Sequence, residues 1–273
     1  MTGMTVIEEL ARRYVQADLA GTKIPLAELE TDSLVPADFE AAMAVQRTFT
    51  GLAGKPVKGW KLAIRPDGQA VGAPMLDCHR TDDDNVAVFP KGGTEGIEVE
   101  ICFTLASDIP AAGGISFSRA DLIRHIDKVH LGAELLRYRL VEKNQVPFPL
   151  FLADRLANHG FIVGPEVDHG ILEAFSGDET GLPHLTVTER SVNVFDAAAR
   201  HPNGDPLAPL VAFANAPINK GDLLKAGQVV TTGSLCGVIP GTLADDTHVA
   251  LKSAGAFTLS GLKPQASSPA DDA

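Results

Sequence analysis

The chain has 273 residues, 45% of them hydrophobic, enough for one large domain or two small ones around a substantial core. A formal net charge of -12 argues against nucleic acid or an anionic membrane surface as a partner, but not against a small anion met by a metal or a lysine. Three cysteines, Cys78, Cys102 and Cys236, lack any C-x-x-C spacing, so neither a disulfide framework nor a zinc knuckle is expected.

The first stretch, MTGMTVIEELARRY, carries acids where a signal peptide needs an apolar core, and no apolar run reaches membrane-spanning length, so a cytoplasmic setting is expected. Thr5 and Glu8 form a capping box ahead of a helix with Ile7, Leu10, Ala11 and Tyr14 on one face, ended by Gly21. Residues 25–36 read as a linker, and Phe39, Met43, Gln46 and Phe49 mark a second helix stopped by Gly51. Residues 57–64, VKGWKLAI, read as a strand in which Lys61 either snorkels past Trp60 or points at an anion. Asp77 and His79 follow in a turn-rich passage, and Asp82, Asp83 and Asp84 read as a solvated loop.

GIEVEICFTL, residues 96–105, predicts a strand with Ile97, Val99, Ile101, Phe103 and Leu105 on one face and Glu98 and Glu100 together on the other. Two adjacent carboxylates repel unless water or a cation lies between them; a solvated strand face is the plain alternative to a hard divalent ion. Ser118 predicts a helix cap with a helix running to Val129, and residues 131–140 predict a strand that places Glu134 beside Leu136, Tyr138 and Leu140. A carboxylate in an apolar row is costly without a partner. Residues 147–164 read as a short helix closed by Gly160 and running into a strand at Phe161–Val163. LTVTERSVNVF gives two strand pieces, Asp205-Pro206 starts a helix, and glycine-broken strands finish the fold before a tail of disordered composition at 264–273. Strand following strand argues for an antiparallel or mixed sheet system. Glu98, Glu100 and Glu134 together would offer three hard oxygen ligands and leave about three octahedral positions of Mg2+ or Mn2+ open.

GWKLA, the pair Leu76-Asp77, IEVEICFTL, AELLRYR, FLADRLANHGFIVG, DPLAPLVAFAN and LKAGQVVTTGSLCG resemble, in order, the motifs of the 2-oxopent-4-enoate hydratase and 4-oxalocrotonate decarboxylase group of the fumarylacetoacetate hydrolase superfamily. The resemblance covers roughly residues 5–262. It implies an α+β fold: a mixed β-sandwich roll over residues 81–263 with a smaller, helical N-terminal portion over 1–80. It also implies Mg2+ or Mn2+ on Glu98, Glu100 and Glu134, with Lys61 and Asp77 acting on substrate; Asp154, Arg155, Arg139 and Ser234 are expected to contact it. Homo-oligomeric assembly, and association with a related decarboxylase or hydratase, follow from the same resemblance.

The chain departs from the group's pattern at three places: Arg137 and Tyr138 stand where an acid and a serine are usual, Arg155 and Leu156 interrupt an A-D-N-A-S motif, and Glu189, Arg190 and Ser191 replace a glycine-bearing turn. The added arginines suggest either selection of a second substrate carboxylate or surface ion pairing. The expected activity is hydration of a 2-hydroxy-2,4-dienoate to a 4-hydroxy-2-oxo acid, a step of aromatic-ring degradation. Decarboxylation of a 2-oxo-3-enedioate, C–C hydrolysis of an acylpyruvate and a non-catalytic partner subunit are the alternatives. Lys61 would hold the substrate carboxylate or oxyanion and Asp77, with a raised pKa, could shuttle the proton, the sequence leaving open which of the two moves it.

Overall fold

The computed structural model describes residues 5–176, 181–221, 223–241 and 245–260; the expected tail at 264–273 lies outside them. Three helices open the chain: α1 (Val6–Ala20), α2 (Leu26–Thr31) and α3 (Phe39–Ala53). Then come β1 (Gly59–Ile64), β2 (Ala70–Met75), β3 (Cys78–Arg80), β4 (Val86–Val88), β5 (Gly96–Leu105), α4 (Arg119–Ile123) and β6 (Ile126–Leu136). The second half holds α5 (Phe148–Ala153), β7 (Asn158–Val167), α6 (Ile171–Ser176), β8 (His184–Glu189), β9 (Val192–Ala198) and α7 (Ala208–Asn215). It ends with β10 (Val229–Ser234), β11 (Ile239–Pro240), β12 (Thr247–Leu251) and β13 (Gly255–Ser260). No helix of the described residues is long and apolar enough to cross a membrane.

Two sheets form, as the α+β expectation requires. The larger runs β2-β1-β10-β5-β6-β7-β3 with β11 added to β5, and the smaller runs β4-β13-β12-β8-β9. β1 pairs parallel with β10, whereas β10, β5, β6 and β7 are antiparallel neighbours. β1, β2 and β3, before the expected division at residue 80, belong to the same sheet as β5 and β6, after it.

Gly59 is required where β1 meets β10: a Cβ there would run into the Val229 carbonyl and lie 2.9 Å from Met75 Cε. Gly59→Ala is therefore expected to cost about 3 kcal/mol or more, read as a lower urea midpoint at unchanged slope.

α1, α3 and α5 pack on one another, and α3 also packs on β2. Tyr14 on α1 donates its hydroxyl to the Leu150 carbonyl on α5 (3.2 Å), and Gln46 on α3 donates to the Leu152 carbonyl (2.6 Å). The Thr5–Glu8 capping box and the Gly21 stop of α1 are as expected. α3 runs past Gly51 and closes at Gly54, whose φ of 63° supplies the left-handed cap, and the expected linker at 25–36 contains α2.

Elsewhere pairing across the sheet overrides local pattern. The helix expected from Ser118 to Val129 stops at Ile123, because Ile126 already pairs with Leu105 at the start of β6. The strand expected over 131–140 begins earlier and ends at Leu136, so Tyr138 is not in the Glu134 row; Leu140 instead bridges to Ile24. In the hairpin between β8 and β9, Arg190 and Ser191 take φ of 50° and 64°, reproducing without glycine the two left-handed residues of a tight turn.

Candidate metal centre

β5 and β6 build the site by register. Glu98 and Glu100 share a face of β5, and Glu134 on β6 lies directly opposite Glu98. Oxygens of all three carboxylates fall within 4.8 Å of one another. The expected solvated face is not found: Glu100 and Glu134 are fully buried and the Glu98 side chain is 15% exposed. Like charges opposite each other in a sheet are unfavourable, and Lys61 answers this from β1. Its ammonium lies 2.5 Å from Glu134 Oε2 and 3.1 Å from Glu98 Oε2. Of the two readings of Lys61, snorkelling or aimed at an anion, the structure shows the second.

Each acid is held from a different side. Asn158 donates from Nδ2 to Glu134 Oε1 at 2.8 Å. Glu100 Oε2 accepts the Thr231 hydroxyl and the backbone N–H groups of Thr232 (3.1 Å) and Gly233 (2.8 Å). Those amides converge because β10 bulges between Thr231 and Ser234, with Gly233 at φ 143°. Burial pushes the Glu134 carboxyl well above the usual range and, with Glu98 nearby, raises that of Glu100; against its own burial, Lys61 holds Glu98 below it. Glu100 Oε1 is buried without a hydrogen-bond partner. Three hard oxygen donors, crowded, buried and with one oxygen orphaned, fit a hard divalent cation.

Lys61 and Glu98 open on a cavity of about 340 Å3 whose wall includes Tyr138, Phe151, Leu156 and Val238. The chain reaches this wall through an unusual turn. After α5, Arg155, Leu156 and Ala157 all have positive φ (56°, 53° and 62°), which costs each non-glycine residue about 1–2 kcal/mol. The turn turns Leu156 into the cavity and delivers Asn158 to Glu134. β7 thus begins before Gly160, not at Phe161 as the sequence suggested.

The remaining expected site residues, Asp77, Arg139, Asp154, Arg155 and Ser234, are not among those lining this cavity. Arg139 is fully buried and meets Asp154 at 3.1 Å and Asp18 at 2.8 Å, and it donates to the Asn158 carbonyl at 3.0 Å. Arg155 is enclosed over the Phe49 ring at 4.3 Å and donates to the Pro74 carbonyl at 3.5 Å. Burial, reinforced by Arg139, lowers its pKa to about 9. None of Asp77, Arg139, Asp154 and Arg155 lines the cavity. Asp77 meets Lys55 at 2.5 Å and Lys91 at 3.6 Å. Burial would raise its carboxyl, but Lys55, Lys91 and Arg155 outweigh burial and hold it low, the opposite of the raised acid expected for a proton shuttle. Ser234 donates to the Gly237 carbonyl at 2.8 Å and shapes the bulge.

Sequence reasoning missed Thr231 and Asp18, neither of which carries a sequence signal.

Two buried histidines give a pH signature. Burial lowers the pKa of His159 to about 3, assisted by Lys91, and that of His201 to about 4. Both bind their proton more weakly folded than unfolded, so stability is full above the unfolded value near 6.5 and falls as pH drops toward 4. The expected slope is about 1.4 kcal/mol per pH unit for each histidine. Urea midpoints measured from pH 7 to 4 should show it, with a shallower fall in His201→Gln.

No family model matches the chain. Two solved structures of 4-oxalocrotonate decarboxylase from Pseudomonas putida G7 superpose with a TM-score of 0.73 over 94% of this chain and 98% of theirs. This chain has their fold. Identity is 18% to the structure complexed with calcium and acetate and 19% to the one complexed with magnesium and adipate, so the likeness concerns architecture.

Proposed function

We propose that the chain is a divalent-metal-dependent lyase that hydrates a 2-hydroxy-2,4-dienoate, with Glu98, Glu100 and Glu134 holding Mg2+ or Mn2+. The observation that carries this reading is the buried three-carboxylate cluster with Lys61 at its edge, opening on a cavity large enough for a small organic acid. A bound divalent ion would supply Lewis acidity toward the carboxylate and 2-oxygen of such an acid. Lys61 lines the cavity and, with two of its three N–H donors on Glu134 and Glu98, has one left for the same oxygens. Phe148, Phe151 and Leu156 keep water from the hydrocarbon portion, while Tyr138 contributes a polar edge to the wall. Thr231 and Asn158 fix Glu100 and Glu134, and Arg139 with Asp154 fixes Asn158 in turn. Asp77 balances Lys55 and Lys91 instead of moving the proton.

Decarboxylation of a 2-oxo-3-enedioate is the second reading, favoured by the shared architecture with proteins of that name. Ultraviolet absorbance of 2-hydroxypenta-2,4-dienoate, followed with metal-stripped protein before and after Mg2+ or Mn2+ and with product mass, separates the two. Ion-dependent loss of the dienol with gain of water is expected. Loss of carbon dioxide from an enedioate with no hydration would replace the first reading by the second; metal binding without turnover of either substrate would remove both.

A further inference from the structure

With Asp77 paired to lysines outside the cavity, the proton that hydration needs has to come from the cavity wall. Among the described residues that line it, only Lys61, Arg65, Glu98 and Tyr138 titrate. The Lys61 ammonium is committed to Glu134 and Glu98, and the Glu98 carboxylate to Lys61 and, in the proposed reading, to the ion. A guanidinium does not release its proton, and that of Arg65 is engaged by Phe39 and Asp67. Tyr138 remains.

The neighbours of Tyr138 fix its place. The N–H of Arg137 donates to the Ala157 carbonyl at 2.9 Å and that of Arg139 to Asp154 Oδ2 at 3.1 Å, while the Arg139 carbonyl accepts the Ile24 N–H at 2.9 Å. The backbone is thus pinned on both sides. The ring stacks on Phe151, with centroids 6.4 Å apart and planes 20° apart, and Lys143 Nζ lies 5.5 Å from its centroid. The hydroxyl, in contrast, has no hydrogen-bond partner among the described residues. A phenol holds its proton at neutral pH, and burial raises the Tyr138 pKa further. A fixed ring with an uncommitted hydroxyl on the cavity wall is what a general acid requires.

We propose that Tyr138 is the general acid of the hydration, delivering its phenolic proton to C5 of the 2-hydroxy-2,4-dienoate. The inference rests on the proposed hydratase reading and deepens it. A dienoate held at the acid cluster by its carboxylate and 2-oxygen extends its hydrocarbon end along the wall to which Tyr138, Phe148 and Phe151 belong. The phenol O–H breaks as the C4–C5 π pair takes the proton, the C2–C3 pair moves to C3–C4, and the enol oxygen becomes a ketone while its own proton leaves to solvent. The phenolate then regains a proton from solvent. The resulting 2-oxo-3-enoate accepts the hydroxyl of water at C4 and a proton at C3, with no further part for Tyr138. This tyrosine is also one of the residues at which the chain departs from the group it resembles.

The test compares two substrates on Mg2+-loaded wild type and Tyr138→Phe, which keeps the ring and its stack on Phe151. 2-Hydroxypenta-2,4-dienoate needs the proton at C5; 2-oxopent-3-enoate already has it. Rates are expressed per Mg2+ site counted by titration calorimetry, so misfolded chain does not enter them. In the variant, kcat for the dienoate is expected to fall at least about a hundredfold, while kcat for the enoate stays within about threefold. The calorimetry should also give equal Mg2+ affinities for the two proteins, because the phenol is not among the oxygens of the cluster. Loss on both substrates alike, loss on neither, or a fall in Mg2+ affinity that matches the fall in turnover overturns the role of Tyr138 and leaves the hydratase reading standing. A wild type that uses one substrate alone overturns it too: the enoate alone means that the chain supplies no proton to C5, and the dienoate alone means that the enoate is not on the path. A wild type that turns over neither removes the hydratase reading and the inference with it.

Discussion

Glu134→Gln is expected to weaken Mg2+ binding by more than about a hundredfold and to abolish ion-dependent hydration. Even residues that only orient ligands usually cost 10–100-fold in affinity, and Glu134 would supply an oxygen itself. The substitution keeps volume and one acceptor but removes the charge. Lys61, now 2.5 Å from a neutral amide, would repel the incoming ion instead of being balanced by a carboxylate. Titration calorimetry of metal-stripped wild type and variant measures the affinity, and the dienol assay measures turnover. Equal Mg2+ affinities in the two proteins would mean that the acid cluster is a structural ion-pair network and not a metal centre.

Arg139→Met is expected to cost about 3–5 kcal/mol of stability and to lower the melting midpoint on the order of 10 °C. Methionine fills much of the space, but Asp154 remains fully buried and Asp18 largely so, without the cation both share. Burial already raises the Asp154 carboxyl despite Arg139, so the acid would be left protonated or unpaired. The Asn158 carbonyl loses its donor as well, and the asparagine that holds Glu134 is freed. A denaturant titration measures the first effect and Mg2+ affinity the second. A loss below about 1 kcal/mol would show that water reaches the network and solvates it.

The acid cluster was legible because strand alternation has period two: once GIEVEICFTL is a strand, Glu98 and Glu100 must share a face. Glu134 was suspect because a carboxylate stood among leucines. The partners of these acids were not legible, because Thr231 reaches Glu100 through a bulge and Asn158 reaches Glu134 through three successive left-handed residues, neither of which has a sequence signature when glycine does not mark it. The same turn explains why Arg155 was expected at the substrate: its position beside a motif suggested access, but the backbone folds it inward over Phe49. Helix and strand limits failed where long-range pairing competes with local pattern, as at Ile126, which joins β6 against Leu105 instead of extending α4. Helix caps at Thr5, Gly21 and Ser118 were read correctly because a cap is satisfied within a few residues of itself.

The place of β10 between β1 and β5 sets an order for the birth of the site. Lys61 and the acids of β5 are made early on the ribosome, but the strand that lies between them, pairing Gly59 with Val229 on one side and Thr104 with Val229 on the other, is among the last to emerge. Until it inserts, the larger sheet is open at its centre, Glu100 lacks the hydroxyl and two amides that hold it, and Lys61 has no sheet to carry it to Glu134. Such non-local closure is slow relative to hairpin and helix formation. A truncation before Val229 would therefore leave the three acids on β5 and β6 without the strand that holds Glu100 and carries Lys61 to Glu134.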